Sequence, residues 1–200
     1  MPRSGTTVIA DHLAYRYNLE NLGEVYTEQT KRLSYGNIYQ WTADQVLCVI
    51  TLLANNLKDI DNHQQLINSK FSGCLVVKRQ NLADCCISLY YAEQQYDLNR
   101  GWQRKYHYTQ PPAVMPFACD LDFVNRWIKL YKEYQQFVQL LDADHVVYED
   151  YMNNQTLTVF GDEFNRVNSS STIRTVPAQI NYSQVCTNYL TVQELINDQV

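Results

Sequence analysis

Apolar residues recur along this chain at two spacings, one helical and one continuous over a few positions. Between Thr6 and Tyr17, Val8, Ile9, Leu13 and Ala14 fall at helical intervals directly behind a Gly-containing turn, which predicts a first helix. Thr42 with Gln45 three residues later has the form of a capping box, and Val46, Leu47, Val49, Ile50, Leu53 and Leu57 follow on one helical face. That pattern predicts a second helix reaching about Asn56. Gly73 to Lys78 is a short apolar run behind a Gly, the form of a strand buried on both faces. Leu82, Ala83, Cys86, Ile87, Leu89, Tyr90 and Tyr91 suit a helix immediately after it, so strand, tight turn and helix make half of a parallel crossover unit. From Asp97 to Cys119, Pro111, Pro112 and Pro116 stand among Trp102, Tyr106, His107, Tyr108 and Phe117, which predicts a long ordered loop of the kind that binds ligands. Asp120 can cap the clearest helix, in which Val124, Trp127, Ile128, Tyr131, Tyr134, Val138 and Leu141 repeat at three and four. Asp144 to Tyr148 is a second buried-strand segment, with Glu149 and Asp150 emerging at its carboxyl end. Thr191 and Glu194 form a capping-box pattern for a short final helix. Helices alternating with short apolar strands predict an α/β fold with a mainly parallel sheet. No internal repeat or Pro/Gly/Ser-rich linker interrupts it, so residues 1–200 are expected to form one domain.

Composition narrows the function classes. With 46% hydrophobic residues in 200, the chain can close a core, which excludes a disordered protein. Lys and Arg total 16 against 21 Asp and Glu, a formal charge of -5, so no global positive field is available to grip a nucleic-acid backbone. The longest apolar run, Ala43 to Ala54, is broken by Asp44 and Gln45 and falls short of the ~20 residues a bilayer crossing requires. Arg3, Ser4 and Gly5 break any apolar export signal ahead of the first helix. Six cysteines match no zinc-ligand spacing and are expected to be reduced thiols. A soluble, cytoplasmic protein is the expectation.

The first string with chemistry in it is Pro2-Arg3-Ser4-Gly5-Thr6-Thr7, opening the first helix. A Gly turn feeding a helix amino terminus aims backbone N–H groups and the positive dipole end at one spot, which suits an anion. Arg3 adds a fixed charge, and Thr6 and Thr7 add hydroxyl donors. A Walker A loop would need Gly-Lys-Ser/Thr, and here Gly5 is followed by Thr6 with no Lys. A capped helix start with a surface Arg would leave the same letters.

This string resembles the 5′-phosphosulfate loop of sulfotransferases, which use 3′-phosphoadenosine 5′-phosphosulfate (PAPS) as donor. Arg79-Gln-Asn81-Leu-Ala-Asp84-Cys-Cys-Ile-Ser88 resembles their 3′-phosphate motif, an Arg at a strand end and a Ser in the following helix. Arg79 to Ser88 spans nine positions, a spacing similar to that of the bacterial trehalose-sulfotransferase type and related marine microbial sequences. Val147-Tyr148-Glu149-Asp150-Tyr151 and Tyr182-Ser-Gln-Val-Cys-Thr-Asn-Tyr189 resemble two further segments of that family in the expected order. The resemblance implies a P-loop-like, mainly parallel sheet flanked by helices. Because Met1 stands directly before Pro2, the first strand of that sheet is expected to be missing or truncated here. It further implies that Arg3, Ser4, Gly5, Thr6 and Thr7 hold the phosphosulfate and that Arg79 and Ser88 hold the 3′-phosphate. Glu149 and Asp150 are read as structural, holding loops or capping a helix.

Sulfuryl transfer to an alcohol needs a proton acceptor near the acceptor oxygen and donors where charge builds on the leaving phosphate. Arg3 and the loop amides meet the second need. For the first, Leu22-Gly-Glu24-Val-Tyr26 resembles the segment bearing the general-base Glu of the trehalose-sulfotransferase type, which marks Glu24, with His107 as the alternative base. His12, on the first helix, is read as packing or surface. Trp102, Tyr106 and His107 are expected at the acceptor site, offering ring faces to a sugar and polar tips for hydrogen bonds. The expected activity is sulfuryl transfer from PAPS, without a metal, to a hydroxyl on a carbohydrate or other small molecule. A non-catalytic sulfotransferase-like binding domain and a small-molecule kinase remain as alternatives.

Overall fold

Helices and strands alternate along the computed structural model, which describes residues 6–24, 46–49, 73–99, 115–153, 156–164 and 180–200. In chain order these are α1 (Thr6–Tyr17), β1 (Glu20–Glu24), β2 (Val46–Val49), β3 (Leu75–Lys78), α2 (Leu82–Asn99) and α3 (Leu121–Val138). They continue as β4 (Asp144–Val147), α4 (Tyr148–Met152), β5 (Leu157–Val159), β6 (Asp162–Phe164), α5 (Tyr182–Val185) and α6 (Tyr189–Asn197). The result is a mixed α/β arrangement in which β1 pairs with β2 and β3 with β4, both in parallel, while β5 and β6 form an antiparallel hairpin.

The β3–β4 pair is the wall between two cores. Successive strand side chains point to opposite faces. Val76 accordingly packs with Cys86, Ile87, Val124, Trp127, Ile128, Val192 and Ile196, from α2, α3 and α6. Its neighbour Val77 packs on the other side with Val146 and with Val8, Ile9 and Leu13 of α1, together with Tyr151 and Val159. Burial on both faces explains the unbroken apolar run that marked β3. In α3 the buried positions Val124, Trp127, Ile128, Tyr131, Tyr134, Phe137 and Val138 follow the expected repeat, and Asp120 caps it by accepting from the Asp122 N–H at 2.9 Å.

Several expectations are corrected. The helix predicted to follow Thr42 is not formed at Val46–Val49, which is β2, with Val46 and Leu47 opposite Glu20 and Asn21 of β1. A short apolar run fits either element; the β-branched residues Val46 and Val49 and the partner strand decide it. Thr42 and residues 50–56 lie outside the described residues. The partner itself, Glu20-Asn-Leu-Gly-Glu24, is too polar to show a strand pattern. The loop expected from Asp97 starts later, because α2 runs on through Asn99, where no Gly or Pro breaks it. Thr191 and Glu194 do not start the last helix: α6 begins at Tyr189, so both lie within it. Asn188 stands at the cap position but makes no cap bond, its side chain being committed to Cys119.

The β5–β6 turn fixes one end of the molecule. Phe160 and Gly161 both have positive φ, 54° and 80°, as a two-residue hairpin turn of the right-handed strand twist requires. The Phe160 ring lies against Gly73, where a Cβ would meet ring carbon Cε1 at 2.7 Å, so residue 73 has to be glycine for this approach. The Phe160 N–H donates to the Asp144 carboxylate. The hairpin therefore sits at the amino ends of β3 and β4. Among the described residues, no helix is long and apolar enough to cross a membrane.

Candidate functional site

Parallel pairing in register, Lys78 opposite Val147, makes the chain leave β3 and β4 at the same edge. Arg79 thus emerges beside Tyr148 and Glu149. Its Nε donates to Glu149 Oε1 at 2.7 Å. The same carboxylate accepts the N–H of Gln80 at 2.9 Å and that of Asn81 at 3.3 Å, so one side chain ties down the whole β3–α2 turn. Gln80 Nε2 adds a bond to Asp150 Oδ1 at 3.3 Å. The Arg79 guanidinium carbon lies 4.6 Å from the centre of the Tyr148 ring, a cation–π contact. Glu149 and Asp150 therefore hold a loop, as the sequence reading has it.

The side chains of Arg79 and Glu149 are 17% and 22% exposed, and each stabilises the other's charge. Burial works against the Arg79 cation, but the hydrogen bond and charge of Glu149 outweigh it and raise the pKa above its ordinary value. Burial likewise works against the Glu149 anion, and the Gln80 N–H and the Arg79 guanidinium together hold its pKa below the usual range. Asp84, in the first turn of α2, moves the other way: burial raises its pKa, the Glu149 charge adds to that, and the Tyr189 hydroxyl and Arg79 only partly offset it.

The α2 amino terminus is tied to the end of the chain. Asn81 Oδ1 accepts from the Asp84 N–H at 3.0 Å, a helix cap, while Asn81 Nδ2 donates to the Tyr189 hydroxyl at 3.2 Å. Ser88, one turn beyond Asp84 on the same helix face, is buried, so it is not a solvent-facing serine.

The orientation of α1 follows from its other end. Arg16 donates to the Glu163 carbonyl at 2.8 Å, and the Tyr17 hydroxyl reaches Asp162 Oδ2 at 3.4 Å. Those residues belong to the hairpin at the amino ends of β3 and β4. A helix of 12 residues is about 18 Å long, longer than either strand, and α1 covers Val77 and Val146 on the way. Its carboxyl end is thereby fixed at the hairpin, while Arg79 stands at the opposite, carboxyl edge of β3 and β4. Open α/β sheets bind ligands at this carboxyl edge.

Of the residues singled out from sequence, Thr6 and Thr7 begin α1, Glu24 ends β1, Arg79 stands at the carboxyl edge and Ser88 is in α2. Arg3, Ser4, Gly5, Trp102, Tyr106 and His107 lie outside the described residues. His12 is buried, its ring 5.4 Å from that of Tyr151, so it packs α1 against α4. Asn188 lies in the Tyr182–Tyr189 segment singled out from sequence, but its role was not visible there. Its Oδ1 accepts the Cys119 N–H at 2.8 Å and its Nδ2 donates to the Cys119 carbonyl at 2.9 Å, beside a parallel bridge between Phe117 and Cys186. These contacts anchor the carboxyl end of the segment read as the ligand loop.

The five described cysteines are free thiols, and all but Cys74 are buried. Among the described residues, no group of His, Cys, Asp and Glu is placed to hold a metal ion. No family model, curated protein or solved structure matches the chain.

Proposed function

We propose that this protein is a PAPS-dependent sulfotransferase with a P-loop-like core, moving a sulfuryl group from PAPS to a hydroxyl of a carbohydrate or other small metabolite. The observation that supports this reading is Arg79, held by Glu149 at the carboxyl edge of the β3–β4 pair, where open α/β sheets bind ligands. Thr6 and Thr7, which close the first sequence motif, open α1, while Arg79 and Ser88 of the second stand at the end of β3 and in α2. In this reading Arg3, Ser4, Gly5, Thr6 and Thr7 hold the 5′-phosphosulfate at the helix dipole. Arg79 and Ser88 hold the 3′-phosphate, for which a planar guanidinium is well suited. Glu24 takes the proton of the acceptor hydroxyl, with His107 the alternative, while Trp102, Tyr106 and His107 receive the acceptor. The acceptor oxygen bonds to sulfur, the bond from sulfur to the bridging phosphate oxygen breaks, and 3′,5′-adenosine bisphosphate leaves with the electron pair. Arg3 stabilises the charge that grows on that oxygen.

Titration calorimetry with 3′,5′-adenosine bisphosphate and transfer of label from PAPS to a panel of sugars and small alcohols test the reading. Arg79→Ala is expected to weaken bisphosphate binding by ~2 to 3 kcal/mol, the range for a charge-assisted contact, and to raise the KM for PAPS with little change in kcat. Failure of the wild-type protein to bind the bisphosphate would sink the proposal. Binding without transfer to any acceptor would favour a non-catalytic nucleotide-binding domain, and ATP- and Mg²⁺-dependent phosphorylation a small-molecule kinase.

A further inference from the structure

Arg79 does not stand alone at the strand edge. Its Nε is held by Glu149 at 2.7 Å and its guanidinium face by the Tyr148 ring at 4.6 Å. Both partners come from the exit of β4, and Glu149 also fixes the backbone on which Arg79 sits through the N–H groups of Gln80 and Asn81. A long, rotamer-rich side chain that is already oriented loses less freedom when it meets a ligand. We infer that Glu149 is a positioning residue: it sets the conformation in which Arg79 meets the 3′-phosphate of the nucleotide. The inference rests on the nucleotide reading of Arg79 proposed above.

The sign of the effect separates this role from simple electrostatics. A carboxylate this close to a bound phosphate repels it, so charge alone predicts that removing Glu149 strengthens binding. Positioning predicts the reverse. A third role, holding the fold in general, predicts equal loss for every nucleotide.

The test compares adenosine 3′,5′-bisphosphate with adenosine 5′-monophosphate by titration calorimetry. The wild-type protein, Arg79→Ala, Glu149→Gln and Tyr148→Leu are used, each checked for folding by circular dichroism. Glu149→Gln keeps the size and one acceptor oxygen but loses the ion pair. The expected result is a loss of about three- to tenfold in bisphosphate affinity, the value of one freed side chain, with monophosphate affinity unchanged. Tyr148→Leu is expected to shift the same ratio in the same direction, and it decides the matter if Glu149→Gln does not fold. Unchanged or stronger bisphosphate binding, or an equal loss for both nucleotides, would overturn the positioning role. A wild-type protein that binds neither nucleotide, or an Arg79→Ala variant that keeps its preference for the bisphosphate, would instead overturn the underlying reading of Arg79.

Discussion

Replacing Asn188 with Ala removes a side chain that satisfies both backbone groups of Cys119, a residue only 3% exposed. Two bonds to the Cys119 backbone, of 2.8 and 2.9 Å, are lost together with the weaker one that the Cys186 thiol donates to Asn188 Oδ1 at 3.3 Å, and a buried N–H and C=O are left without their partner. Each intact bond contributes about 1 kcal/mol, and each orphaned group costs about 1 to 3 kcal/mol where water does not reach it. With water admitted to one of the two, the total comes to about 2 to 4 kcal/mol. Asn188→Asp keeps the oxygen that accepts the Cys119 N–H but sets an acceptor-only oxygen against the Cys119 carbonyl, so a loss at least as large as that of Asn188→Ala is expected. Urea unfolding followed by circular dichroism reads both variants as a fall in midpoint at constant slope, by about 1 to 2 M for Asn188→Ala. A midpoint within error of wild type for Asn188→Ala would refute the clamp, and a loss for Asn188→Asp much smaller than that for Asn188→Ala would refute the donor role of Nδ2.

Two further outcomes follow from the charged edge and the thiols. Glu149 has a depressed folded pKa, so its contribution to stability is full above the ordinary glutamate value of 4.5 and is lost as pH falls below it through the folded value. The stability gap between wild type and Glu149→Gln should therefore narrow in urea titrations as the pH drops below 4.5; a gap constant with pH would contradict the assignment. Burial, with the nearby Cys186, pushes the Cys119 thiol up to about 12, and burial raises Cys86 strongly as well. Both should resist iodoacetamide at neutral pH in the folded protein and react once it is unfolded, as read by peptide mass mapping; labelling in the native state would show the sites to be more open than described.

Local pattern was enough wherever the deciding interaction is local. The cap on α3 needs only Asp120 and Asp122, and the alternation of β3 needs only consecutive residues, so both were visible. Arg79 at a strand end and Glu149 as a loop-holding residue were also visible, because each lies at a boundary that the apolar runs mark. What stayed hidden depends on distant partners. Val46–Val49 is a strand because β1 lies beside it, and nothing in its own letters separates it from a buried helix turn. Asn188 stands directly before α6, yet its side chain is committed to Cys119, 69 residues away, and that commitment leaves α6 without a side-chain cap.

The ion pair at the strand edge has a consequence for how the protein is made. Glu149 follows Arg79 by 70 positions and Tyr189 follows Asn81 by 108, so on a ribosome adding roughly 5–20 residues per second β3 waits several seconds for β4 and longer for the last helix. During that interval α2 and α3, whose contacts are local, can already shelter the Val76 face, while the hydrogen-bonding edge of β3 stays open to any other strand. The edge that carries Arg79 is therefore completed only after β4 has emerged, and a nascent protein stalled before residue 149 would lack the carboxylate that pairs with Arg79 and accepts the Gln80 N–H.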